Sequence, residues 1–309
     1  MTAHDSQKHD SLRGIFAEIP ELAALPFGAW RISSLAGLTN RSIRVTAGKL
    51  DYVLRLPGAA AGQYLSRSTE LHNARLAAEI DISPPVLFAD ADRGIMLLPY
   101  LTGSRHLTVA DLKDPGVIAK IAALLARLHG SGLVFENTMS AFPITDRYLA
   151  IGSDERLQRL RIAARPLESA LAADRLRLAP CHIDPNTANF LRCTDGRLRL
   201  IDWEFSAMCE PIWDLAGIAI EGRLDAAAEE LLLIAYERQS VEYRSGGLPR
   251  ARYRILKTAL HLVAASWAKA ELAADPDRPE IVTLLDEHCA ALESALADPS
   301  FIRLLAEPV

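Results

Sequence analysis

The chain has 309 residues, 50% of them hydrophobic and 24% charged, with a formal net charge of −5. That length accommodates two lobes with ample buried core, and the acidic balance argues against nucleic acid or an anionic membrane as the main partner. No apolar run approaches the roughly 20 residues that span a bilayer. The opening segment MTAHDSQKHD lacks the apolar stretch of a secretory signal, so residues 1–10 read as a disordered tail. The four cysteines (Cys181, Cys193, Cys209, Cys289) form no C-x-x-C pair, and no histidine cluster joins them. They read as buried small hydrophobes in a reducing, cytoplasmic compartment, not as disulfides or zinc ligands.

The first hundred residues read as strands around one helix. Arg31 to Leu35, Ile43 to Thr46 and Tyr52 to Leu56 are rich in β-formers and separated by turn signals. A helix is expected over Ser66 to Ile80, opened by polar capping residues and closed before Ser83-Pro84-Pro85. Val86 to Ala89 and Ile95 to Pro99 read as two further strands joined by a turn ending at Gly94.

After Tyr100 the pattern becomes mostly helical. Val117, Ile121, Leu124 and Leu128 recur at helical spacing, as do Leu256, Leu260, Val263 and Trp267, and then Ile281, Leu285, Cys289, Leu292 and Leu296. The arginine-rich stretch 156–165 reads as the solvated face of an amphipathic helix. One strand signal interrupts this half. Asn189 to Cys193 and Leu198 to Ile201 flank Asp195-Gly196, a β-hairpin. The expectation is an α+β chain with a small β-rich N-terminal lobe and a larger, mostly helical C-terminal lobe, the layout of kinases, with other α+β folds left open by composition alone.

The chemistry concentrates around that hairpin. Asp184 and Asn189 precede it in the run C-H-I-D-P-N-T-A-N-F-L, and Asp202 follows it in L-I-D-W-E-F. Phosphoryl transfer from ATP needs such a set: one carboxylate to take the proton of the attacking hydroxyl, an amide oxygen and a second carboxylate to hold Mg²⁺ on the phosphates. The hairpin returns the chain to its starting edge and so brings Asp202 near Asn189, with His182 bracing the loop. Alone, either Asp184 or Asn189 would read as an ordinary polar turn. The ordered triple carries the assignment.

The segment H-I-D-P-N-T-A-N-F-L resembles the H-x-D-x4-N motif of choline/ethanolamine kinases and aminoglycoside phosphotransferases. The run I-D-W-E-F-S-A-M-C-E-P-I-W-D-L-A is similar to the continuation found in choline kinases, especially the bacterial choline kinase-like branch. Upstream, L-A-G-L-T-N-R resembles that family's phosphate loop, Y-V-L-R-L-P-G its third strand, and S-R-S-T-E-L-H-N its glutamate-bearing helix. The resemblance runs from about Leu35 to Trp267. It implies the two-lobed protein kinase-like fold, with a nucleotide-binding lobe over 11–99 and a catalytic and acceptor-binding lobe over 100–309.

It also implies roles. Asp184 would be the catalytic base, and Asn189 and Asp202 the Mg²⁺ ligands. Thr39 and Asn40 would cover the triphosphate, Arg55 (where most kinases carry lysine) would pair with phosphate and with Glu70, and Leu98 to Tyr100 would offer backbone groups to adenine. Asp214 would tie its helix to the catalytic loop. For the acceptor, Glu221 falls on the position of a choline-binding glutamate, sharing a helix face with Asp214 and Ile218, and Trp267 on that of a cage tryptophan. Two positions depart from the pattern: Ala264 stands for the partner tryptophan and Phe205 for a tyrosine. Glu204 is a candidate metal or ammonium ligand. The expected acceptor is a small amino alcohol, choline or ethanolamine, with thiamine and then an aminoglycoside as alternatives, and a non-catalytic nucleotide-binding protein as the rival from another class.

Overall fold

In the structure, a computed structural model, residues 12–35, 41–56, 66–173 and 177–306 are described. The tail 1–10 and the Thr39–Asn40 segment lie outside them. The chain divides into two compact units, Met1–Ser104 and Arg105–Val309.

The first unit opens with two helices that the hydrophobic pattern did not announce, α1 (12–18) and α2 (Pro20–Ala23). Their Phe16, Ile19 and Leu22 are buried with Trp30 against the sheet, and the Trp30 indole N–H donates to the Leu22 carbonyl at 3.1 Å. The sheet is antiparallel throughout, built from β1 (Arg31–Ser34), β2 (Arg41–Ala47), β3 (Leu50–Leu56), β4 (Phe88–Asp90) and β5 (Ile95–Pro99), in the order β1-β2-β3-β5-β4. Gly48, at φ 59°, opens the tight turn between β2 and β3, a left-handed value that glycine adopts freely. Alternation works as the pleat demands: Ile43 and Val45 of β2 are buried with Leu54 of β3 and Leu97 of β5. Between β3 and β4 runs α3 (Arg67–Glu79), capped by the Ser66 side chain, which accepts from the Thr69 N–H.

The second unit is mostly helical, as expected, but holds more strand than the single hairpin read from the sequence. β6 (Arg105–His106) pairs with β8 (Phe190–Arg192), which pairs with β9 (Leu198–Leu200). Separately, β7 (Ala179–Cys181) pairs with β10 (Ala207–Cys209). Strands of two or three residues, one of them carrying Pro180, give no period for a sequence pattern to catch. Their partners lie far along the chain. The helices are α4 (Pro115–His129), α5 (Ala141–Ile151), α6 (Glu155–Ala163), α7 (Arg165–Ala173), α8 (Ile212–Glu221), α9 (Ala226–Gln239), α10 (Arg250–Ala274), α11 (Pro279–Ala297) and α12 (Pro299–Ala306). The stretch 156–165 turns out less solvated than its composition suggests. Leu157 and Leu160 are buried, Arg156 reaches Glu293 and Asp286, and Arg161 stacks on Phe142. Cys181, Cys209 and Cys289 are buried free thiols. No described helix is long and apolar enough to cross a membrane.

The long helix α10 organises this unit. Its Arg252, 1% exposed, makes a two-pronged bond to Glu210 and donates to the Leu171 carbonyl at 2.8 Å. Against it lies Gly152, just past α5. A Cβ there would sit 2.7 Å from the Lys269 carbonyl oxygen and 3.1 Å from the Ala273 Cβ. The close approach requires glycine. Gly152→Ala is therefore expected to cost about 1–3 kcal/mol, seen as a lower urea midpoint with an unchanged slope.

Candidate active site

The site is assembled where α8 grips the segment following β7. Asp214, in the first turn of α8 and 0% exposed, accepts at Oδ2 from the His182 backbone N–H (2.8 Å) and from His129 Nε2 (3.0 Å). It accepts at Oδ1 from the Ile183 N–H (2.8 Å). Its neighbour Trp213 donates from the indole to the Ile183 carbonyl at 3.0 Å. Ile183 needs that restraint, because its φ of 72° is left-handed and costly for a β-branched residue. One turn further along α8 comes Gly217, where a Cβ would meet Pro185 at 3.0 Å. The small residue lets the loop lie flat on the helix.

His182 braces the loop, as expected. It is fully buried, its Nε2 donates to the Ile201 carbonyl at 2.8 Å, and its ring meets the edge of Trp203. His129, Cys181 and Asp214 also bring three metal-ligand types within 4.8 Å of one another. Both Asp214 oxygens already accept hydrogen bonds, and burial pushes the Cys181 thiol far up, so the trio forms a brace and offers no thiolate to a metal.

Asp184 emerges half-buried from this clamped loop. Asn186, passed over in the sequence although it lies inside the motif, donates from Nδ2 to both Asp184 carboxyl oxygens (3.1 and 3.0 Å). Asn189 donates from Nδ2 to the Asp184 backbone carbonyl (2.9 Å) and to Oδ2 (3.0 Å). Burial pushes the Asp184 carboxyl above its ordinary value and Asp202 pushes the same way, while His182, Asn186 and Asn189 oppose the rise.

With its amide nitrogen committed to Asp184, Asn189 presents its amide oxygen as an acceptor. The β8–β9 register pairs Phe190 with Leu200, and the Ile201 N–H donates to the Asn189 carbonyl at 3.0 Å. Asp202 thus follows directly beside Asn189, as the hairpin argument expected. Its φ of 68° turns the chain at that point. An amide oxygen and a carboxylate are hard donors of the kind Mg²⁺ takes, so the pair fits such an ion.

The acceptor candidates stand on three segments: the end of α8, the residues after Asp202, and α10. Glu221 is the last residue of α8 and exposed, yet the protein around its carboxyl pushes it up to about 7, with the Asp184 charge adding to the rise and Arg223 opposing it. Asp184 and Glu221 therefore sense each other. Glu204 is buried and Phe205 half-buried. Trp267 of α10 is half-buried, and its indole nitrogen is shielded, with no acceptor among the described residues.

Sequence reasoning missed Tyr148 on α5 and Glu271, four residues beyond Trp267 on the same α10 face. The Tyr148 hydroxyl is pushed up by burial, and it feels the carboxylates of Glu271, Asp184 and Glu204 together. Nothing in the local sequence around either residue marks it.

In the first unit, Glu70 is paired with Arg55 as expected, and also with Arg67 at 3.1 Å. Tyr100 ends the Leu98-to-Tyr100 segment with its N–H donating to the Asp51 backbone carbonyl at 3.0 Å and the Arg44 guanidinium 3.7 Å above its ring. Leu98 is half-buried and pairs with Val53.

Asp214→Ala leaves three N–H groups without their acceptor and is expected to cost about 3–5 kcal/mol. Amide exchange over residues 182–189 should accelerate well beyond that of α10, read by hydrogen–deuterium exchange.

Comparison with known proteins identifies the family and the fold. Residues 32–256 match the model of the phosphotransferase enzyme family. The protein LicA of Haemophilus influenzae is 31% identical over 251 residues, covering 77% of this chain and 73% of that protein. A crystal structure of a choline/ethanolamine kinase family protein from Mesorhizobium loti aligns with a TM-score of 0.79 and 33% identity, over 96% of this chain and 97% of that one. Choline kinase LicA from Streptococcus pneumoniae aligns with a TM-score of 0.80 at 22% identity, over 93% and 99% of the two chains, and shares the fold. The kinase-like α+β fold expected from the sequence is the fold of these neighbours. The chain belongs to the phosphotransferase enzyme family, among its choline/ethanolamine kinase-like members.

Proposed function

We propose that this chain transfers the γ-phosphoryl group of ATP to the hydroxyl of a small amino alcohol, choline or ethanolamine. The observation that carries the reading is the Asp184–Asn189–Asp202 set, fixed by the Asp214 clamp and the β8–β9 hairpin. In this reading the acceptor oxygen forms its bond to the γ-phosphorus as its proton passes to Asp184. The bond from that phosphorus to the bridging oxygen breaks, and ADP leaves. Burial raises the proton affinity of Asp184, which suits a base, and Asn186 and Asn189 hold its carboxylate in place. Asn189 and Asp202 would hold Mg²⁺, which when bound neutralises charge on the phosphates. Catalysis by positioning and charge neutralisation needs no covalent nucleophile.

The N-terminal lobe is assigned to the nucleotide, with Arg55 and Glu70 toward the phosphates, Thr39 and Asn40 over them, and Leu98 and Tyr100 toward adenine. The C-terminal lobe is assigned to the acceptor. Glu221, Glu204 and Trp267 supply negative charge and an aromatic face, the two requirements of an ammonium group, and Phe205 adds apolar surface. The Mesorhizobium loti protein, a choline/ethanolamine kinase family member at 33% identity over nearly the whole chain, supports this acceptor class. A complete catalytic set argues against a purely nucleotide-binding role. The reading puts the enzyme in the cytoplasm, where ATP is supplied.

Asp184→Ala is expected to lower turnover by orders of magnitude while ATP still binds, measured as ADP release over choline, ethanolamine, thiamine and kanamycin. Near-normal kcat in that variant would sink the assignment. A second expectation concerns pH. The ionised form of Glu221 attracts an ammonium group, so kcat/KM for choline should rise as pH climbs through about 7. Solvent softens the shift at this exposed residue. Glu221→Gln should remove that rise and leave only the limb belonging to Asp184.

A further inference from the structure

Glu70 stands in the first turn of α3, and its carboxylate is shared. One oxygen meets Arg55 of β3 and the other meets Arg67 Nη1 at 3.1 Å. The side chains are 4% exposed for Glu70, 11% for Arg55 and 17% for Arg67. The Glu70 backbone is pinned as well, its N–H donating to the Ser66 carbonyl at 3.0 Å, one turn back at the helix cap. Arg67 and Glu70 are three residues apart and so share a helix face.

In most kinases the strand position of Arg55 holds a lysine, whose ammonium acts as a point charge. An arginine does not substitute for it freely. A guanidinium binds phosphate as a flat fork, so the plane in which it lies matters as much as its distance. A glutamate gripped at one oxygen can still swivel about its last bond and take the fork with it. Gripped at both oxygens, it cannot. The space behind the trio, lined also by Asp90 and Gly94, is a cavity of about 10 Å³, room for one water molecule and no nucleotide.

We propose that Arg67 is a positioning residue for the nucleotide phosphates, acting through Glu70 to fix the guanidinium plane of Arg55. The inference rests on the reading that Arg55 meets the phosphates of ATP. The third member of the group compensates for arginine in place of lysine: the fork needs orientation, and Arg67 supplies it by holding the far oxygen of Glu70.

The test is calorimetric titration of ATP, ADP and adenosine into the wild-type protein, Arg67→Gln and Arg67→Lys, with urea midpoints recorded for each. Arg67→Gln should weaken ATP and ADP about tenfold while adenosine binds as before, because only the phosphates lose their oriented partner. Arg67→Lys, which keeps a cation on the far oxygen, should restore most of the loss. Equal ATP affinity in wild type and Arg67→Gln would overturn this inference alone. So would a parallel loss of ATP and adenosine tracking a lower urea midpoint, the signature of a merely structural role. Wild-type protein that binds adenosine but gains nothing from its phosphates would overturn the functional reading and this inference with it.

Discussion

The buried carboxylate of Asp214 accepts from two consecutive backbone N–H groups of the segment it shapes, and from His129 on α4. A charge at that depth is tolerable only when its lone pairs are filled. Filling them forces His182 and Ile183 into one conformation, including the left-handed turn at Ile183. The direction in which Asp184 leaves the loop is thereby set. His129 is held in turn by the Tyr236 hydroxyl at 2.8 Å, so α4, α8 and α9 all converge on one acceptor group.

The same economy runs through the hairpin. β8 and β9 are three residues each and would not survive alone. They persist because β6 adds a third strand and because both ends are tied to the loop: the Asn189 carbonyl accepts from Ile201, and the Ile201 carbonyl accepts from His182. The proposed base and the proposed metal ligands therefore sit on one hydrogen-bonded frame. The proposed acceptor groups are held differently. Glu221 rides on the helix that carries Asp214, whereas Trp267 rides on α10, whose approach to α5 is set by Gly152.

The aromatic complement of the proposed acceptor site is reduced. Position 264 is alanine on a helix otherwise able to present two tryptophans, and Phe205 lacks a hydroxyl. Tyr148, buried on α5, lies under the influence of three carboxylates, Glu271, Asp184 and Glu204.

Most of the frame was legible in the sequence because it obeys local rules. Helical stripes predicted α4, α10 and α11, Ser66 predicted the start of α3, and the Asp-Gly turn predicted the hairpin that brings Asp202 beside Asn189. What escaped depended on partners distant along the chain. β7 and β10 are too short to show a period, and α1 and α2 reveal their role only through burial against the sheet. Asn186 lay within the motif, but its grip on both oxygens of Asp184 is a matter of angles that spacing does not encode. Residue order by itself determined which side chains are proposed to carry the chemistry, since Asp184, Asn189 and Asp202 fall within one short, turn-coded stretch. Only the tertiary structure brought Tyr148 under the charge of Asp184 and Glu271, set His129 against Asp214, and, within the first unit, joined Arg67, Glu70 and Arg55. Those contacts join separate elements, and their energy depends on distance and burial that no local pattern contains.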